Sequence, residues 1–199
     1  AFVPNALLPS INKLSDKGYV HQYYVDGPLM ETDSYLATAG RWGNIVLGTT
    51  GGGAGAPAAN GVSPKAAVFA IDATSLNTSA TGMNASSVLW EVSSGMTGFE
   101  ELGYVLTEVE AGPTIGGQWV AIFGNGYESK SCKAQLFIVN LETGALIRKI
   151  DTGIGSGNCA DKNNTGRNGL GGVRVVRDAQ QQIVGVYAGD LQGNLWKFN

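Results

Sequence analysis

The chain has 199 residues, a formal net charge of −3, 43% apolar residues, only 15% charged ones and 30 glycines. That apolar share can bury a core, which excludes wholesale disorder. No Lys/Arg cluster could neutralise a row of phosphates, which argues against nucleic acid as a partner, and no apolar run approaches the roughly 20 residues of a membrane helix. Glycine at about twice its usual share, mixed with Val, Ile, Thr and Tyr, is the composition of many short strands joined by tight turns, because glycine supplies the positive φ those turns need.

In chain order, residues 1–20 read as a lead-in, with apolar spacing from Ala6 to Leu14 suited to one short turn or helix. A first strand element follows at Trp42-Gly43-Asn44-Ile45-Val46-Leu47-Gly48, and it recurs at Gln118-Trp119-Val120-Ala121-Ile122-Phe123-Gly124. A second element is an apolar run closing on Asp or Asn, then a Gly-containing turn and another strand. Its copies are Ala67–Asp72 leading to Val88–Glu91, Leu136–Gly144 leading to Leu146–Ile150, and Val184–Asp190 leading to Leu195–Trp196. Ile183–Gly189 also fits the first element, without its Trp. Four-strand units repeated every roughly 45–70 residues, lengthened by insertions, predict an all-β propeller. The start without Met or a basic leader, and the strand-like end Leu195–Asn199, suggest part of one propeller domain of a larger protein.

Two long loops interrupt the pattern, residues 49–67 and 151–172, and loops of this length are usually functional or mobile. Gly48, Gly51, Gly52, Gly53 and Gly55 follow a strand as a phosphate cradle would, yet Ala56-Pro57-Ala58-Ala59 cannot supply the helix that a cradle needs behind it. Cys132 and Cys159 lie in polar loops and are expected to pair in an oxidising compartment; two free thiols in a cytosolic protein are the alternative.

From His21-Gln22-Tyr23-Tyr24-Val25-Asp26-Gly27-Pro28 onward the sequence resembles a known family. Further matches are Leu102-Gly103-Tyr104, Gly124-Asn125-Gly126-Tyr127, Asn168-Gly169-Leu170 and Tyr187-Ala188-Gly189-Asp190-Leu191-Gln192-Gly193-Asn194-Leu195-Trp196-Lys197-Phe198. These are similar to the C-terminal propeller of PilY-type proteins, the tip-associated adhesins and assembly factors of type IV pili. The resemblance implies a quinoprotein-like propeller, a location outside the cell at a pilus tip or outer surface, and a role in pilus assembly, adhesion or surface sensing. It implies as partners the pilus subunits or the remainder of a longer chain, and a host or surface receptor. Family members often carry an Asp/Asn-rich calcium loop before the Tyr-Ala-Gly-Asp segment. Here Arg177-Asp178-Ala179-Gln180-Gln181-Gln182 offers one carboxylate, too few for a hard cation.

Other patterns raise specific chemistries. Asp161, Asn163 and Thr165 alternate as in a calcium loop, but Gly172 stands where a bidentate Glu belongs. Asp151-Thr152-Gly153 spells an aspartic-protease triplet in a single copy, whereas that chemistry needs two carboxylates. His21 is the only histidine, and no serine sits in a nucleophile elbow to use it. Glu91, Glu100, Glu101, Glu108 and Glu110 could hold a glycosidase pair, although exposed acidic loops are the commoner explanation. Trp42, Trp90, Trp119 and Trp196 could stack on sugars or a quinone, but their place beside strands points to packing between blades, with Asp190 part of the same framework. The reading is a non-catalytic interaction module that needs no cofactor. A quinoprotein-dehydrogenase-like enzyme fragment, or a purely structural piece of a secreted assembly, is the alternative.

Overall fold

A computed structural model describes residues 2–55, 66–75, 82–159, 161 and 163–199. The regular elements are nearly all strands, arranged as three antiparallel sheets in which each strand pairs with its neighbour in sequence. The first sheet holds β1 (Leu29–Leu36), β2 (Arg41–Thr49), β3 (Ala67–Asp72) and β4 (Val88–Ser93). The second holds β5 (Glu110–Pro113), β6 (Trp119–Gly124), β7 (Lys133–Asn140) and β8 (Leu146–Gly155). The third holds β9 (Leu170–Arg177), β10 (Ile183–Asp190) and β11 (Leu195–Phe198). The expected short helical lead-in is present as 3-10 and α turns over Asn5–Ser15.

Strand alternation decides which sheet each residue faces. In β6, Ala121 and Phe123 enter one core cluster while Val120 and Ile122 enter another, so the second sheet is buried on both faces. That is why Trp119–Gly124 reads as a continuous apolar run instead of an alternating one. The first cluster fills the space between the first and second sheets with Leu36, Ile45, Leu47, Val68, Phe123, Phe137 and Leu141. Phe99, Phe123 and Phe137 stack in series, with ring centres 5.6 Å apart in each pair. The second cluster joins Val120, Ile122, Ala134 and Leu136 to Leu170, Val173, Val186 and Ala188 of the third sheet. At roughly 25 cal/mol per Å² of apolar surface, these two interfaces are the main stabilising term of the fold.

The first strands β1, β5 and β9 lie beside one another in turn, so the sheets fan out from a common edge. The connections sort by end. At one end, four short turns join β1 to β2, β5 to β6, β7 to β8 and β9 to β10; β3 also ends and β4 begins there. At the other end lie the strand ends that flank 50–66, 94–109, 125–132, 156–169 and the β10–β11 turn.

The structure adjusts several sequence expectations. The 151–172 loop is shorter, because β8 continues to Gly155 and β9 begins at Leu170. Of the 49–67 loop, Gly51–Gly55 form a 3-10 turn and 56–65 lie outside the described residues. In the third sheet, Ile183–Asp190 is the second strand, matching β2 and β6, so the hairpin placed there as the third copy of the second element sits one strand earlier than its counterparts. The acidic stretch before Glu110 is more than an exposed loop: Phe99, Leu102, Val105 and Val109 are buried between the first two sheets.

Candidate functional site

The motif residues converge at the loop end, where the second and third sheets meet. Asn125, directly after β6, is fully buried. Its side-chain oxygen accepts the N–H of Gln135 and of Leu170, both at 3.0 Å. Its amide donates to the carbonyls of Glu101 at 3.2 Å and Lys133 at 2.8 Å. One side chain thereby ties the 94–109 connection, β7 and β9 together, and every donor and acceptor of its amide group is used. Next to it, Gly126 (φ +70°) donates its N–H to Leu170 at 2.9 Å. A Cβ at Gly126 would run into the Tyr104 carbonyl, so the Gly-Asn-Gly-Tyr sequence is required by close backbone approach as well as by φ.

A covalent link lies alongside. Cys132 and Cys159 form the expected disulfide, with Cα atoms 5.3 Å apart, and both are buried. It ties the 125–132 loop to the 156–169 loop, and Asn168 N–H donates to the Cys132 carbonyl at 3.0 Å. Arg167 reinforces the same junction, bonding Glu128 at 2.8 Å and the carbonyls of Cys159 and Asp161 at 2.8 and 3.0 Å. Neither Arg167 nor Glu128 stood out in the sequence, whereas Asn125 and Asn168 belong to motifs legible there.

Asp190, at the end of β10, is the most heavily solvated carboxylate by protein groups. Oδ1 accepts the N–H of Gln192 and Asn194 at 3.1 and 2.8 Å. Oδ2 accepts from Asn168 Nδ2 at 3.0 Å, Asn194 Nδ2 at 2.9 Å and Trp196 Nε1 at 2.9 Å. Partial burial alone would raise its pKa; the side-chain donors of Asn168, Trp196 and Asn194 outweigh that and hold it at about 2. Such a group is a poor base and a good turn anchor. Asp72 repeats the device at the other end of the first sheet. Burial works against ionisation there too, but bonds from Thr74 and Arg41 keep its pKa below the ordinary value.

The remaining candidates are dispersed. Asp161 accepts the N–H of Asn163 at 2.9 Å, a turn-closing contact beside Cys159. Among the described residues, no group of three or more His, Cys, Asp or Glu side chains could hold a metal ion. Asp178 closes the β9–β10 turn by accepting from Gln180 and Gln182 at 2.9 and 2.8 Å. Asp151 lies within β8, bonded to the N–H of Gly153 at 2.7 Å. His21 packs edge-on against Tyr23, ring centres 5.4 Å apart. The glutamates go separate ways: Glu91 accepts the N–H of Asn5 and Ala6, Glu101 accepts from Ser131, and Glu110 pairs with Arg174 at 2.8 Å. In the glycine-rich turn, Gly53 N–H donates to the Asp26 carboxylate at 3.0 Å, so an internal anion already stands where a phosphate would be sought.

The tryptophans divide. Trp90 is buried and donates to the Leu141 carbonyl at 2.7 Å, a blade-to-blade bond; Trp119 packs half-buried against the same core. Trp196 is half-buried against the second–third interface. Trp42 touches Trp119 of the neighbouring sheet, ring centres 5.7 Å apart, and is 61% exposed. Alternation along β2 turns Ile45 and Leu47 into the core and sets Trp42 on the opposite side of the strand.

Three successive meander sheets, packed face to face about a shared inner edge and braced by a loop-end junction, define a propeller-type module. The PilY1 beta-propeller domain profile matches residues 4–199, and the chain belongs to that family. It is 41% identical over its whole length to a type IV pilus biogenesis factor PilY1 homolog of Xylella fastidiosa, and 34% identical to the type IV pilus biogenesis factor PilY1 of Pseudomonas aeruginosa. It spans 12% and 15% of those two proteins. The crystal structure of the Pseudomonas aeruginosa PilY1 C-terminal domain matches with a TM-score of 0.69 and 29% identity, over all of this chain and 34% of that one. No helix among the described residues is long and apolar enough to cross a membrane.

Proposed function

We propose that this chain is a non-catalytic interaction module of a type IV pilus biogenesis factor, acting outside the cell in pilus assembly, adhesion or surface sensing. The family and the relatives' names support the pilus role. The observation that carries the mechanism is the asymmetry of the two ends. Most of the long connections leave one end, and there 94–109, 125–132 and 156–169 are held by a disulfide, a buried asparagine and a fully bonded aspartate. Loops carried on a rigid scaffold are the usual place for recognition. Asp190, held at about 2, is the wrong acid for proton transfer near neutral pH. The contact partners on this reading are pilus subunits or other parts of the parent protein, with a surface receptor as the outer target.

Site-specific photo-crosslinking in piliated cells tests this. A crosslinker at exposed Leu191, on the β10–β11 turn at the loop end, is expected to capture pilus subunits. One at exposed Ile115, on the β5–β6 turn, is expected not to. Capture from Ile115 alone, or normal piliation and adhesion after deletion of residues 191–199, would refute the assignment of contact to the loop end.

A further inference from the structure

In the first two sheets the first strand lies at the shared inner edge, which leaves the fourth on the outer rim, where no neighbouring blade packs. The two outer strands differ. β4 has six residues, and its one charged side chain, Glu91, is already engaged by the N–H groups of Asn5 and Ala6 at 2.7 and 2.8 Å. β8 has ten, Leu146-Ile147-Arg148-Lys149-Ile150-Asp151-Thr152-Gly153-Ile154-Gly155. It pairs with β7 on one side, and among the described residues no backbone–backbone hydrogen bond leaves residues 146–152 on the other. Such an edge is a template for another strand, and natural edges are commonly guarded by charge or bulges.

The charges on β8 select what can pair there. Arg148 and Lys149 are exposed and belong to no ion pair among the described residues. The Asp151 side chain is 40% exposed, and its ion pair with Lys133 is a long 3.4 Å. Two identical edges joined by a two-fold axis run antiparallel and place one residue opposite its own copy. Centred on Lys149, the axis would set lysine against lysine; centred on Asp151, aspartate against aspartate, and like charges directly opposite are destabilising. Centred on Ile150, it sets Lys149 of each copy opposite Asp151 of the other, with Ile150 against Ile150 and Arg148 against Thr152. Gly153, at φ +77°, ends the extended run, so residues 148–152 carry the pairing.

We infer that the outer edge of β8 docks a second copy of this chain, strand to strand, in the register centred on Ile150. An acidic strand from another protein would satisfy Arg148 and Lys149 but would also face Asp151. A neutral strand would leave Arg148 and Lys149 unanswered. The second copy meets the charges at 149 and 151 with their opposites, and its own backbone fills the open edge. Charge at this edge therefore acts as a filter that admits one register. The contact lies on the outer rim, away from the loop end, and goes beyond the interaction role proposed above.

The test uses the whole parent protein and two variants, Lys149→Glu and Asp151→Lys, in analytical ultracentrifugation. The unaltered protein is expected to show a concentration-dependent dimer. Each variant alone sets like charges opposite each other at both contacts and should weaken that dimer about five- to thirty-fold. An equimolar mixture of the two restores both pairs and should recover the association as a heterodimer. A second measurement needs no variant: zero-length carbodiimide crosslinking of unlabelled with isotope-labelled protein is expected to join Lys149 of one copy to Asp151 of the other. Three results would overturn the inference. The unaltered protein stays monomeric, even if it then binds an acidic Asp-Thr-Asp-Thr-Asp peptide at this edge; Lys149→Glu dimerises as well as the unaltered protein; or no crosslink joins residues 149 and 151 of different copies.

Discussion

The two sheet–sheet interfaces solve one packing problem with different chemistry. Between the first and second sheets, large side chains meet directly: three phenylalanines stack in series and Trp90 crosses to bond the Leu141 carbonyl. The long 94–109 connection, which carries Phe99, adds Leu102, Val105 and Val109 to that core. Between the second and third sheets the buried set is smaller, and an open apolar groove of about 440 Å³ runs beside it, lined by Ile138, Ile147, Ile150, Ile183 and Phe198. There the disulfide, Asn125 and the Asn168–Asp190 bond hold the junction at the loop end. Burial and dispersion carry the first interface, and directed bonds fix the loop end of the second.

The contrast can be broken from either side, and the largest effect should come from the packed interface. Phe137→Ala removes the middle ring of the stack and should cost about 3–5 kcal/mol in urea unfolding; a loss under 1 kcal/mol would show that the stack contributes little. Replacing both Cys132 and Cys159 by serine reopens a loop between residues 27 apart. Its cost should be about 3 kcal/mol, with hydrogen exchange rising first in 125–132 and 156–169 and leaving the first interface protected. Exchange rising equally everywhere would mean the two interfaces are not separable.

Asn125→Ala should cost about 2–3 kcal/mol, since it leaves buried N–H groups of Gln135 and Leu170 unpaired. Unlike Phe137→Ala, it should loosen β9 more than β2. The smallest effect is the pH dependence of Asp190. Its folded pKa, about 2, lies below the unfolded value near 4, so the unfolded chain takes up the proton first as pH falls. The stabilisation is therefore complete above about pH 5 and lost between about pH 4 and pH 2. It amounts to about 1 kcal/mol once solvent screening of this half-exposed group is allowed for. Asp190→Asn should flatten that part of the stability–pH curve; an unchanged curve would assign the acid sensitivity to other carboxylates.

The repeated strands, the all-β class, the propeller architecture and the cysteine pairing were legible in the residues, because alternation and turn chemistry are local and two cysteines leave one pairing. The first strands were harder. β1, Leu-Met-Glu-Thr-Asp-Ser-Tyr-Leu, carries charge on its open face, and β5 is four residues long, so neither shows an apolar run. Their identity as strands comes from partners in β2 and β6. The same holds for the site. Asp190 and Trp196 were visible as a motif, but their bond, and its link to Asn168, join groups 22 residues apart that only folding brings within 3.0 Å. Asn125 lay in plain view within Gly-Asn-Gly-Tyr, yet its four bonds reach three separate segments. Sequence alone determined the class of fold and the family, since both rest on short-range pattern. The exposure of Trp42, the gathering of loops at one end and the bracing of the third sheet were decided by tertiary structure, because each depends on which distant groups share a face.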